Sequence, residues 1–111
     1  MSDAPRRIQR SRAKGWRMPE GAIYVGRPSM WGNPFACQDP AIAVRMFRCW
    51  LRGSLRSADL FACSLAIPGP LGRYRERMLA EVGMLRGRTL CCWCSPAKPC
   101  HADVLLEMAN A

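Results

Sequence analysis

The chain has 111 residues, half of them hydrophobic, and its 17 Lys and Arg against 8 Asp and Glu leave a net charge of +9. That apolar content excludes an intrinsically disordered chain, and the length suits one domain with one modest core. No apolar run approaches the ~20 residues that span a bilayer and no export signal opens the chain, so the expectation is a cytoplasmic protein with no membrane role.

The basic charge is concentrated at the start. Residues 1–7 read as a flexible basic tail and residues 8–111 as a single α/β domain. Arg6, Arg7, Arg10, Arg12, Lys14 and Arg17 outnumber Asp3 and Glu20 there. Such a stripe attracts polyanions through counterion release, which makes these six residues candidate nucleic-acid contacts. A second basic group, Arg45, Arg48, Arg52, Arg56, Arg73, Arg75, Arg77, Arg86 and Arg88, falls on the middle helices. The plainer alternative is that these arginines only solvate helix surfaces.

Residues 22–35, AIYVGRPSMWGNPF, form the first informative segment. Ile23, Tyr24 and Val25 are a compact β-prone run, ended by Gly26. Arg27, Ser29, Trp31 and Asn33 follow among Pro28, Gly32 and Pro34. They offer a guanidinium fork, a hydroxyl, an aromatic ring and an amide on a stiff loop, suited to a phosphate or carboxylate ligand. The alternative is that Trp31 and Phe35 plug the core while Asn33 satisfies a turn.

The middle of the chain is helical. Asp39-Pro40 is an N-cap followed by proline at the first helical position. Val44, Phe47 and Leu51 share a face, with Ala43, Met46 and Trp50 beside them and Gly53 as the stop. Residues 54–70 read as irregular or as a short helical turn, with Leu55, Leu60, Phe61 and Leu65 packing and Pro68-Gly69-Pro70 as a break. Residues 71–86 predict a second helix, with Tyr74, Met78, Leu79, Val82 and Leu85 inward and Gly87 as its cap. Seven cysteines is an odd number, at uneven spacings, which favours reduced thiols over a disulfide framework. Cys37, Cys49 and Cys63 lack ligand-like spacing and read as small buried hydrophobes.

The most informative stretch is residues 88–110, RTLCCWCSPAKPCHADVLLEMAN. Residues 89–93 predict a buried strand, with Cys92 and Cys94 on one face and Cys91 and Trp93 on the other. Two prolines break it, and Val104, Leu105 and Met108 then recur at helical spacing from about Cys100 to Asn110. His101 and Asp103 fall in the first turn, where the dipole suits Asp103 and keeps the imidazole neutral. A residue there need not be core, so His101 is expected to be replaceable without loss of folding.

Three functions compete for this cluster. The first is a nucleotide- or nucleic-acid-directed enzyme using Cys92, Cys94, His101 and Asp103, since a thiol at a helix start is acidic and nucleophilic. The second is a structural zinc site of Cys92, Cys94, Cys100 and His101 in a nucleic-acid-binding module. Regular geometry resists it: Cys92 and Cys94 on a strand stand roughly 6.6 Å apart at Cα, and neighbours on a helix diverge by about 100°. A sharp curl at Cys94 is the way to rescue ligands. The third is that these residues pack and cap in a non-enzymatic protein that binds a host partner.

Together GWRMPEGAIYVGRPSMWGNPF and LCCWCSPAKPCHADVLLEMAN resemble a small domain family of unknown function found in bacteria, actinobacteria especially, and in their phages. The resemblance runs from about Ile8 to Asn110, through Gly26, Arg27, Pro28, Trp31, Gly32, Asn33, Pro34, Phe35, Cys92, Trp93, Cys94, Cys100, His101, Ala102 and Asp103. It implies a compact single domain and no particular reaction. Met30 departs from the basic residue that members often carry, and Cys91 adds a thiol. The ending is also similar to a second uncharacterised α/β family, in which a glutamate follows the first cysteine; that likeness is one of site and carries no chemistry.

The expected fold is α/β and Rossmann-like: a short parallel or mixed sheet led by residues 23–25 and 89–93, flanked by about three helices. A strand, a long helical crossover and a second strand favour a parallel pair. Parallel pairing puts both carboxyl ends on one edge, which brings Arg27, Ser29 and Asn33 beside Cys92, Cys94 and His101. Arg27 and His101 are expected to act there on one bound anion, from a nucleotide or other phosphate-bearing molecule.

Overall fold

The computed structural model describes residues 5–56, 64–65 and 70–111. Three short strands form a parallel sheet: β1 (Arg7–Gln9), β2 (Ile23–Tyr24) and β5 (Leu90–Cys92), in the order β1-β5-β2. A separate antiparallel pair joins β3 (Phe35–Ala36) to β4 (Ser64–Leu65). The helices are α1 (Pro40–Arg52), α2 (Leu71–Glu81) and α3 (His101–Ala109).

β5 is central because its three residues are all apolar and buried, as a strand covered on both sides requires. Its register aligns Leu90 with Arg7 and Ile23, and Cys91 with Ile8 and Tyr24. The backbone pairing runs past the strand ends, with Val25 N–H donating to Cys91 O at 2.8 Å and Arg10 N–H to Cys92 O at 2.6 Å. The parallel pair expected from residues 23–25 and 89–93 therefore forms. The last strand inserts between the first two, so the order is not that of successive Rossmann crossovers.

Three strands, β1, β3 and β4, have no counterpart in the sequence analysis. β1 begins at Arg7, inside the segment expected to be a free tail, and Arg6 O already accepts a hydrogen bond from Leu90 N–H at 2.9 Å. Three residues are too few to reveal strand periodicity, and the unpaired edge of β5 supplies the partner.

The helices follow their sequence signals. Asp39 Oδ1 accepts from Ala41 N–H at 2.9 Å to cap α1, and Gly53 closes it in the left-handed region at φ 78°. Met46, Phe47, Trp50 and Leu51 form its buried stripe. Arg75 on α2 caps the last carbonyls of α1, its Nε and Nη2 donating to Trp50 O and Leu51 O at 2.8 and 3.0 Å. α2 is shorter than residues 71–86: from Val82 to Leu85 it tightens into a 3₁₀ turn, where Gly83 weakens the helix. Cys100 caps α3 and Asp103 closes a capping box on it. Among the expected packing residues of 54–70, Leu60 and Phe61 lie outside the described residues, as do Cys63, Pro68 and Gly69; Leu65 is exposed.

One core unites these elements. Val25, Phe35, Phe47, Leu90 and Leu105 are fully buried, and the edge of Phe35 meets Trp50 at 5.8 Å between ring centres. No helix among the described residues is long and apolar enough to cross a membrane.

Candidate metal and ligand site

Both informative loops leave the carboxyl edge of the parallel sheet, and a buried histidine joins them. His101 Nε2 lies 2.6 Å from Val25 O, at the end of β2. A carbonyl only accepts, so Nε2 carries the proton and Nδ1 keeps a lone pair. That Nδ1 faces Cys100 Sγ at 3.5 Å. Burial lowers the imidazole pKa and keeps the ring neutral, as expected for the start of a helix. The ring also meets Phe47 edge-on at 5.4 Å and is only 8% exposed. The expectation that His101 stands outside the core is thus corrected: the first turn of α3 is pressed between β2 and α1.

The cysteines converge because β5 stops at Cys92 and the chain bends over Trp93 and Cys94. This is the curl that a regular strand would have forbidden. Cys92, Cys94 and Cys100 bring their sulfurs within 4.8 Å of one another, and Cys92 and Cys100 Sγ are 3.0 Å apart. Sulfurs around a tetrahedral zinc stand about 3.8 Å apart, so this spacing brackets a metal's requirement. The group can hold a metal. His101, expected as the fourth ligand, lies beside Cys100 and outside this group of three.

The thiols are electrostatically unequal. The hydrogen bond shared with Cys100 pulls the Cys92 thiol down to about 6, against the opposing effect of burial and with help from the Cys94 backbone and Arg7. The same bond, with burial, pushes the Cys100 thiol far up. Burial also raises Cys94 and Cys91. Of the three, the Cys92 thiol alone is shifted toward the acidic side.

Arg7, which the sequence placed among the candidate nucleic-acid contacts, makes structural contacts at the site that its residue type did not disclose. Its side chain is 7% exposed and pairs with Asp103 Oδ1 at 3.0 Å. It also donates to the carbonyls of Cys94, Ser95, Pro96 and Lys98 at 2.7–3.4 Å, so it clamps the whole turn between β5 and α3. The only cue was a polar residue alternating with Ile8, too brief to tell strand from tail. Asp103 is engaged in turn, by Arg7 and by Cys100 N–H at 3.2 Å.

A cavity of about 310 Å³ opens beside the cluster, bordered by Arg27, Asn33, Cys94, Cys100 and His101 and by the N-terminal turn of α1. Arg27 is exposed and its guanidinium makes no hydrogen bond among the described residues. Asn33 is buried: Nδ2 donates to Ala43 O at 3.0 Å and Oδ1 accepts from Phe35 N–H at 2.9 Å. Trp31 packs in the core, and Ser29 Oγ accepts from Trp31 N–H at 3.3 Å. Gly32 is needed for a close approach, because a Cβ there would lie 2.9 Å from Arg27 Cγ and 3.2 Å from its Cα. Of the four loop candidates, Arg27 and Asn33 reach the cavity; Trp31 and Asn33 also fill the packing and turn roles that were the alternative.

Cys37 borders the cavity and is disulfide-bonded, which corrects the expectation that all thiols are reduced. An odd count argues against a framework of bridges but not against a single one. Cys49, Cys91, Cys92, Cys94 and Cys100 are free. The remaining expected nucleic-acid residues Arg6, Arg10, Arg12, Lys14 and Arg17 are exposed, whereas several middle arginines are engaged: Arg48 with Glu107, Arg77 with Glu81 and Arg75 with α1.

No curated protein and no solved structure matches the chain. A family model does, over residues 8–111, nearly the whole length, and the chain belongs to that family, the domain of unknown function DUF4326.

Proposed function

We propose that the domain holds one zinc ion on Cys92, Cys94 and Cys100 and binds a phosphate-bearing ligand of the nucleotide class in the cavity beside it. The observation that carries this reading is the shared wall. Cys94 and Cys100, two of the three clustered thiols, border the same cavity as Arg27, whose guanidinium is uncommitted among the described residues. Soft thiolates are the donor set zinc prefers, and three of them leave a fourth position for a ligand or water. Three thiolates and one Zn²⁺ leave one negative charge, and Arg7 and the N-terminus of α3 lie beside the cluster to balance it. A neutral His101 adds no competing charge, and its proton on Nε2 leaves Nδ1 able to accept.

Metal analysis of protein purified under reducing conditions tests the first half. The expected result is one zinc per chain, absent from Cys92→Ser and Cys94→Ser; metal-free protein with all three thiols open to alkylation refutes it. Isothermal titration with ATP tests the second half. Arg27→Ala should weaken binding by about 1.5–3 kcal/mol, the worth of a charged hydrogen bond, and Arg27→Lys should restore only part of it. Equal affinity in wild type and Arg27→Ala removes Arg27 from the reading.

A second reading rests on the 3.0 Å approach of Cys92 to Cys100 and on the acidic Cys92 thiol. In a metal-free protein these make Cys92 a nucleophile. Rapid alkylation of Cys92 by iodoacetamide near neutral pH, in protein that binds no zinc, would select it.

A further inference from the structure

The face of the parallel sheet turned away from α3 carries aromatic rings and arginines. Side chains alternate along a strand, so Leu90 and Cys92 share one face and Cys91 the other, with Ile8 and Tyr24 in register beside it. Leu90 and Cys92 join the main core; Cys91 is fully buried yet stands outside it. The Arg10 charge is near enough to act on the Cys91 thiol. The Arg10 guanidinium lies 4.8 Å from the Tyr24 ring centre and 5.4 Å from that of Trp93, and Arg12 lies 4.8 Å from Trp93. Trp93 is 40% exposed, although it directly follows a strand whose three residues are all buried.

We propose that this face binds single-stranded nucleic acid, with Trp93 stacking on a base and Arg10 and Arg12 moving from the rings to phosphates. Parallel sheets usually have helices on both faces. A sheet face given over to aromatic rings is how sheet-type RNA-binding domains receive unpaired bases. Rings that stack need bases whose faces are free, which selects single strands over duplex. The exposed Arg6, Lys14 and Arg17 extend the cationic surface along the same N-terminal segment, and the net charge of +9 suits a polyanion. Exposed cation–π interactions are weak, so a base replacing a guanidinium on the indole forfeits little while the freed cation gains a phosphate. The inference is independent of the zinc reading: Trp93, Arg10 and Arg12 do not border the Arg27 cavity.

Fluorescence anisotropy with a labelled oligo(dT) of about fifteen nucleotides, in the range that a single-strand site covers, tests it. The same measurement is made with a duplex of equal length and with poly-glutamate as competitor. Wild type should favour the single strand, and Trp93→Ala should weaken it about 5- to 150-fold, with Trp93→Phe retaining more. Arg10→Gln with Arg12→Gln should flatten the slope of log affinity against log salt by about 0.7 for each phosphate that is no longer neutralised. Arg27→Ala should leave this binding unchanged. Circular dichroism confirms folding of each variant, and if Trp93→Ala failed to fold, the arginine pair would decide. Duplex bound as tightly as single strand, poly-glutamate competing as well as oligo(dT), or folded Trp93→Ala binding like wild type would overturn the proposal.

Discussion

Removing Arg7 is the sharpest test of how the site is built. Its guanidinium bonds Asp103 and four backbone carbonyls, but these bonds are unequal. The ion pair to Asp103 at 3.0 Å and the bonds to Lys98 O at 2.7 Å and Ser95 O at 3.1 Å have good lengths; those to Pro96 O and Cys94 O are 3.3 and 3.4 Å. Asp103 is 41% exposed on its side chain, and Pro96 and Lys98 lie on an exposed turn, so water replaces much of what Arg7→Ala removes. Counting only the three good bonds at about 1 kcal/mol net each gives a destabilisation of about 2–4 kcal/mol, a large part of the 5–15 kcal/mol that folds a domain. Arg7→Lys keeps the charge opposite Asp103 but not the fork, so it should recover less than half. Urea unfolding followed by circular dichroism measures both, and an unchanged m value shows that the native state is intact. If the turn between β5 and α3 is held as described, Arg7→Ala should also loosen the proposed zinc. A destabilisation below ~0.5 kcal/mol with unchanged metal content would refute the clamp and return Arg7 to the surface.

His101→Ala leaves Val25 O unpaired and opens space beside Phe47, so it should cost about 2–4 kcal/mol in urea unfolding, while His101→Gln, which can still donate to Val25 O, should cost less. His101 is the only histidine, and burial lowers its pKa in the folded state from the ordinary 6.5. Its contribution is therefore complete above that value and declines as pH falls below it, because the unfolded chain takes up a proton that the folded one refuses. Between pH ~7.5 and ~5.5 wild type should drop about 1 kcal/mol more than His101→Gln; parallel pH profiles would show that the ring is not buried neutral. Gly32→Ala should destabilise by about 1–3 kcal/mol, since its Cβ would meet Arg27 backbone at 3.2 Å, and should weaken ATP binding with it; a neutral substitution would show that the loop is loosely packed.

Sequence alone determined the elements with strong local signals. Asp39-Pro40 and Gly53 bounded α1, and the apolar run before two prolines announced β5. Strand, long crossover and strand implied the parallel pair that brings Arg27 and the cysteines to one edge. These are consequences of backbone chemistry and of handed connections, both local or topological. Tertiary structure decided the rest. Arg7 became a buried clamp because β5 had an unpaired edge, which no property of residues 7–9 discloses. The bend after Cys92 gathered three sulfurs that regular strand geometry keeps apart, and it left His101 outside them. His101 itself is core because α1 and β2 close over the start of α3. Partners far apart in sequence set these outcomes, and a residue type carries no record of the distance to its partner.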